Sequence, residues 1–560
     1  MADLQTLLAK KSFIELSARE RAKALLDEQS FRELLDPFAQ MMSPWLPKQN
    51  IVPQADDGVV VAKGTLQQKP VVIISIEGNF QGGSLGEVGG AKIAGALELA
   101  VEDNLKGIPT AAILLLETGG VRLQEANLGL AAIAEIQAAI VALRQYQPVI
   151  GVIAGSVGCF GGMSIAAALC SYLIMTQEGR LGLNGPQVIE QEAGVQEYDS
   201  KDRPFIWSIT GGQQRFASGL VDAYVEDDCQ QIQQQVLQYL IQGQPELHRS
   251  SNYDFYLNHL QAVDTTVQAT PASSLDFISR RTSMNMDVHA VKTSTRGQNW
   301  FKALTADFVQ IKDAVESVWI ADGQISGKTV RVIAVVPHQH NLYPRAQSGE
   351  VGLLEGWTLA KVVDDVIQAD LDRDHKRAIL CIVDVPSQAY GRREELFGIH
   401  QALAGAVDSY ARARLAGHPI ISLLVGKSMS GAFLAHGYQA NRIIALKDTG
   451  VMVHAMGKES AARVTLRTVD ELEKLAANIP PMAYDIESYA TLGLLSDLLT
   501  VVSPEQPTIE DIASVQNAFL HALNDIQVIG STGLEHRLHG ENRQASKKVR
   551  ELLREQWYAD

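Results

Sequence analysis

Cysteine is scarce: 4 of 560 residues, at Cys159, Cys170, Cys229 and Cys381. Their spacings form no CxxC pair, so neither a disulfide framework nor a zinc ribbon can be built from them, and a reducing cytosol is the expected compartment. Positive charge is also short, with 48 Lys and Arg against 64 Asp and Glu and a net charge of −16. A field of that sign repels phosphate backbones unless a basic patch is segregated from it, so nucleic acid is not an expected partner. Continuous apolar runs are missing. The opening MADLQTLLAKKSFIELSARER carries charges throughout and lacks the apolar core of a secretory signal. The stretch from Leu128 to Leu143 is interrupted by Glu135 and Gln137 and reads as too short to span a bilayer, so no membrane association is expected.

Several catalytic motifs are absent too. No glycine-rich turn has GxGxxG spacing, which leaves a Rossmann cofactor unindicated. Gly426-Lys427-Ser428 resembles the end of a P-loop, but Ile421 stands where that loop needs glycine. Gly426 to Ser430 ends in serine where a hydrolase elbow needs glycine. His338-Gln339-His340 has no third or fourth ligand to make a metal site, and no metal is expected.

What remains is a globular composition, 46% hydrophobic and 20% charged, long enough for several folding units. Residues from about 12 to 47 place Leu and Phe at helical spacing and end at the loop SPWLPKQN, a helical lead-in assigned to 1–50. From Val59 onward, β-branched runs alternate with Ala/Leu-rich segments, which reads as α/β units with crossovers. Between about Gln242 and Asn299 the texture turns to Gln, Ser, Thr and Asn, a junction. The α/β texture then restarts with the same order of parts. LLLETGG, a long helix, VIGVIAG and SVGCFGGMS in the first half answer CIVDVPSQAYGRREE, a long helix, IISLLVG and KSMSGAFLAHG in the second. Equating Gly162 with Gly431 gives an offset of 431 − 162 = 269. This predicts two tandem copies of one α/β domain, 51–288 and 289–560.

Gly158, Gly161 and Gly162 stand where a buried strand hands over to a helix, and Ser430-Gly431-Ala432 stands at the matching place. Amides at such a turn point outward and can hold an anion such as a thioester enolate; close helix–strand packing is the alternative reading. Gly119 and Gly120 follow another buried strand, on the side where α/β sheets bind ligands. Beyond the matching strand of the second copy, Tyr390 and Arg392 could orient a carboxylate or simply cap a surface helix. His436 and His454 are proton-donor candidates, each more often a satisfied core or loop histidine.

The segments PWLPKQNIVPQADDGVVVAKG, FQGGSLGEVGGAKIAGALELA, ETGGVRLQEANLGLAAIAEI, GCFGGMSIAA and LGLNGPQVIEQEAG resemble acyl-CoA carboxyltransferase subunits, as do GEVGLLEGW, VDVPSQAYGRREELFGIHQAL, GKSMSGAFLAHGYQANR and VMVHAMGKESAARVT. These subunits are pairs of crotonase-like domains. The resemblance is strongest to the beta and gamma subunits of biotin-independent malonate decarboxylase, joined near residue 288. It implies loss of CO2 from a malonyl thioester on an acyl carrier protein, giving the acetyl thioester in the cytoplasm. It further implies one oxyanion hole at Gly161 and Gly162, another at Gly431 and Ala432, and substrate between the domains, with Gly119, Gly120, Gly158, Ser430, Tyr390 and Arg392 lining its site. The implied partners are the acyl carrier protein, whose CoA-derived prosthetic group holds the substrate, and an acyl-carrier-protein transferase subunit. No biotin or directly bound cofactor is implied, and a homo-oligomer is left open. A basic patch including Lys201, Arg203 or Arg215 is expected to dock the carrier. The alternatives are the carboxyltransferase of a biotin-dependent decarboxylase or acyl-CoA carboxylase, and a carrier-docking scaffold with vestigial turns.

Overall fold

The computed structural model describes residues 10–274 and 295–559. The described chain divides into two compact units. The first is built from the chain up to Gln124, from Glu135–Arg249 and from the segment beginning at Ala545; the second from Glu125–Ala134 and Ser250–Gln544.

The first unit holds a seven-stranded sheet ordered β1 to β7: β1 (Arg32–Leu34), β2 (Val59–Leu66), β3 (Lys69–Ile76), β4 (Ala111–Leu115), β5 (Val149–Ile153), β6 (Tyr172–Met175) and β7 (Ala223–Tyr224). The first two pairings are antiparallel and the rest parallel. Parallel strands are buried on both faces, and β4 and β5 are accordingly all apolar and all buried. The second unit repeats the pattern. Its sheet runs β8 (Val309–Ile311), β9 (Val318–Ile325), β10 (Lys328–Val335), β11 (Ala378–Val385), β12 (Ile420–Met429), β13 (Arg442–Leu446) and β15 (Asp497–Leu499), with β14 (Met452–His454) paired to the end of β12. Here too two antiparallel pairings precede the parallel ones. The architecture is α/β, with one strand order built twice along the chain. From the second matched pair onward the offset rises from 318 − 59 = 259 to 497 − 223 = 274, whereas β8 and β1 are 309 − 32 = 277 apart.

Two expectations about the domains need correction. The lead-in is not mainly helical: it holds the two-turn helix Ala18–Leu25, strand β1 and two short 3-10 turns. Helix Arg296–Leu304 precedes β8 as Ala18–Leu25 precedes β1, so the lead-in is part of the repeat. The junction carries helix Tyr253–Ala262. Tyr256 stacks on Trp357 at 4.4 Å and Tyr253 donates to Asp364 at 3.1 Å, which ties this helix to the second unit. The boundary at 288 lies outside the described residues, and the C-terminal helix Gln544–Trp557 departs from the contiguous division because its partners lie in the first unit. Ser546 N–H donates to Glu87 at 2.8 Å, Arg550 pairs with Glu98 and Glu135, and the Trp557 indole donates to Asp103.

The helical run Leu123–Leu143 is 21 residues long, so by length and composition it could cross a membrane, and the expectation that it is too short does not hold. Of its most apolar 18-residue window, 94% is buried inside the protein, as in a core helix.

Candidate active site

In the first unit, the glycines singled out above converge at the carboxyl ends of β4 and β5. The Thr118 amide donates to the Gly158 carbonyl at 2.7 Å, and Phe160 donates back to Thr118 at 3.0 Å. The next rung binds Cys159 N–H to the Arg180 carbonyl at 2.8 Å. These bonds hold the turn 155–161 against the Gly119–Gly120 turn. Gly120 has φ +100°, and a Cβ there would lie 2.9 Å from the Phe160 carbonyl oxygen; Gly161 has φ +60° and ψ −149°, a conformation essentially reserved for glycine.

Gly161 is the N-cap of the eight-residue helix Gly162–Leu169, whose first amides have no intrahelical acceptor. Gly161 donates its own N–H to the Leu183 carbonyl at 2.9 Å. The Gly162 N–H has no partner among the described residues, while the Gly162 carbonyl accepts from Gln137 at 3.0 Å. Of the expected Gly161–Gly162 pair, only Gly162 therefore offers an amide. The thiol of Cys159 is buried and pushed far above its ordinary range by desolvation, so it is no nucleophile.

The second unit rebuilds this turn at the same offset of 269. Cys159 pairs with Thr118 and Leu181; Ser428 pairs with Val385 and Val453. Gly161 has φ +60° and Ser430 has φ +53°. The turns differ at the next amide, because Gly431 N–H donates to Gln388 Oε1 at 3.1 Å. Gly431 is thus engaged by a side chain, and Ala432 lies buried in the first turn of the six-residue helix Ser430–Ala435. Tyr390 and Arg392 are half-buried, Arg392 opening the short helix Arg392–Leu396.

Sequence reasoning matches Glu117 with Asp384, 384 − 117 = 267 residues apart, but assigns neither a role in bracing these turns. Glu117 Oε2 accepts from Arg21 Nη1 at 2.8 Å, and Oε1 accepts from Val157 N–H at 2.8 Å. In the second unit Asp384 accepts from Lys427 N–H at 3.1 Å and Gly297 N–H at 3.0 Å. The legible signal was the matched acids after matched strands; their partners, far away in sequence, were not legible.

His436 and His454 do not serve as proton donors. His436 is wholly buried, with Nδ1 3.1 Å from the Tyr410 hydroxyl and Nε2 3.1 Å from the Ile382 carbonyl; burial lowers its pKa to about 4. His454 stacks on Tyr484 at 3.8 Å, with Nδ1 3.1 Å from the Met456 amide nitrogen, and burial again lowers its pKa to about 4. Both are structural and neutral at pH 7. Of the expected docking residues, Lys201 and Arg203 are exposed, but Arg215 is buried and donates to the Leu181 carbonyl at 2.8 Å, so it belongs to no surface patch. Among the described residues no cluster of His, Cys, Asp and Glu could hold a metal.

A sequence model of the malonate decarboxylase gamma subunit matches residues 346–557. The malonyl-S-ACP:biotin-protein carboxyltransferase MADC of Malonomonas rubra is 38% identical over 284 residues, 48% of this chain and 89% of that protein. MADD of the same organism, also named a malonyl-S-ACP:biotin-protein carboxyltransferase, is 33% identical over 199 residues, 35% of this chain and 65% of that protein. A chain in the crystal structure of a Pseudomonas malonate decarboxylase hetero-tetramer with malonate is 67% identical, covering 49% of this chain and 100% of that one, with a TM-score of 0.49. With 89% of MADC covered at 38% identity, and the gamma-subunit match beside it, the chain belongs to the carboxyltransferase family of the malonate decarboxylases, with beta-like and gamma-like parts on one polypeptide.

Proposed function

We propose that this chain removes CO2 from a malonyl group held as a thioester on an acyl carrier protein, releasing the acetyl thioester. The observation that carries this reading is the unpartnered Gly162 N–H at the start of a helix, braced beside the Gly119–Gly120 turn. Breaking the bond between the carboxylate and the methylene carbon sends an electron pair toward the thioester oxygen. An amide fixed at that oxygen stabilises the enolate without reorganising, and one such donor is worth about 3 to 4 kcal/mol. The helix start adds partial positive charge in the same direction. The methylene carbon then takes a proton. With His436 and His454 tied up in the core, water or a group on the carrier complex supplies it.

The substrate's arm is the CoA-derived group of the carrier, a transferase subunit loads that carrier, and Lys201 and Arg203 remain available for docking. The four buried thiols suit a cytoplasmic setting. Purified chain given a malonyl-loaded carrier is expected to release CO2 without ATP, and no release would refute the reading. A second reading, transfer of the carboxyl group to biotin on a partner protein, is favoured by the names of the Malonomonas relatives. Avidin separates the two: it leaves direct decarboxylation untouched and stops the biotin route.

A further inference from the structure

We propose that Glu117 is a positioning residue of the first turn: locked by Arg21, its carboxylate sets the 155–161 backbone and so aims the Gly162 N–H. This inference rests on the decarboxylase reading above. The carboxylate is buried and fully engaged, with one oxygen on the Arg21 guanidinium and the other on the Val157 amide, each at 2.8 Å. It lies in a glycine cradle. A Cβ at Gly155 would stand 1.8 Å from Oε2, and one at Gly78 would stand 2.6 Å from Cγ. From Val157 the turn passes directly through Gly158, Cys159 and Phe160, each hydrogen-bonded, to Gly161 and the open amide. Arg21 is fixed in turn, since its other nitrogens donate to the Phe13 and Ile14 carbonyls at 3.0 and 2.7 Å.

The second unit supports the assignment because it builds the same device from other parts. Asp384, one methylene shorter, holds the amide of Lys427, and a Cβ at Gly426 would lie 2.1 Å from Asp384 Oδ1. Its second oxygen meets Gly297 N–H at the start of helix Arg296–Leu304, where the first unit uses Arg21 of helix Ala18–Leu25. Two copies that keep a braced acid while changing its partner point to the brace itself as what is needed.

The test is Glu117→Gln, which keeps the size but has a single acceptor oxygen for two donors and turns an NH2 toward one of them. Folded variant is expected to lose roughly 10- to 100-fold in kcat with KM within about twofold, because aim and not binding is disturbed. Amide hydrogen exchange from Gly158 to Met163, measured without substrate, is expected to speed up by at least about tenfold. Unchanged kcat per folded molecule, or unchanged amide exchange from Gly158 to Met163, overturns the proposal. If wild-type protein releases no CO2, the decarboxylase reading fails, and the exchange measurement still decides whether Glu117 positions the turn.

Discussion

The two turns share a bridging pattern and differ at the side chain that faces the helix's first amide. Leu85 bridges to Val121 in the first unit, and Val351 bridges to Gln388 at the matched place in the second. Valine has no polar atom to offer, so Gly162 keeps an open N–H; glutamine reaches across and accepts the N–H of Gly431. Duplication thus preserved a scaffold that presents an amide, while divergence at a single neighbour decided whether that amide is offered or capped. The backbone itself is treated differently as well. The first unit meets its positive φ with Gly161, and the second holds Ser430 in that region, where a side chain costs of order 1 kcal/mol or more.

The largest test of this division concerns the last helix. Truncation before Gln544 removes the buried Val549, Leu553 and Trp557, together with the pairs to Glu98 and Glu135, from the first unit. At about 1.5 to 3 kcal/mol per buried apolar side chain, the loss should be roughly 5 kcal/mol or more. Hydrogen exchange resolved by region is expected to show it in the first unit alone, and equal loosening of both would break the comparison. Next in size, Gly161→Ala should cost about 100-fold in turnover by twisting the amide out of line, whereas Ser430→Ala, already side-chain-bearing at the matched place, should cost far less. Rates on the malonyl-loaded carrier check both. Equal losses would make the turns equivalent.

Acid sharpens the contrast further. His436 and His454, both in the second unit, titrate at about 4 in the fold and at about 6.5 when unfolded. The unfolded chain takes up protons below pH 6.5 that the folded one refuses until about pH 4, so stability is full above pH 6.5 and is lost as pH falls through that window. Each contributes at most about 2 kcal/mol of loss by pH 5. Regional hydrogen exchange between pH 7 and 5 should find the second unit weakening first. The smallest effect is a gain: Ser430→Gly should raise the second unit's stability by about 1 kcal/mol, read from its denaturation midpoint.

Much of this was written in the sequence. Apolar β-branched runs marked the strands, because parallel strands buried on both faces have no polar side to blur them, and the offset between Gly162 and Gly431 carried over to Gly161 and Ser430, which share a positive φ. Contacts between remote segments were not legible. Arg21 meets Glu117 across 96 positions, and no local pattern announces which cation a buried acid will find. The capping of Gly431 turned on where the Gln388 side chain reaches, which composition and spacing do not encode. Arg215 looked like a surface cation until packing showed it spent on the Leu181 carbonyl. The two histidines looked reactive because histidine can be; only their carbonyl and hydroxyl neighbours show them to be structural.

The ownership of the final helix also sets a timetable for synthesis. The first sheet and its helices are complete once the chain has passed Arg249, yet the helix that covers Glu87, Glu98 and Asp103 ends at Trp557, 557 − 249 = 308 residues later. At about 5 to 20 residues per second, a nascent chain holds that seat open for some tens of seconds. During that interval the seat is a surface for chaperones, or for the corresponding helix of a neighbouring chain on the same message.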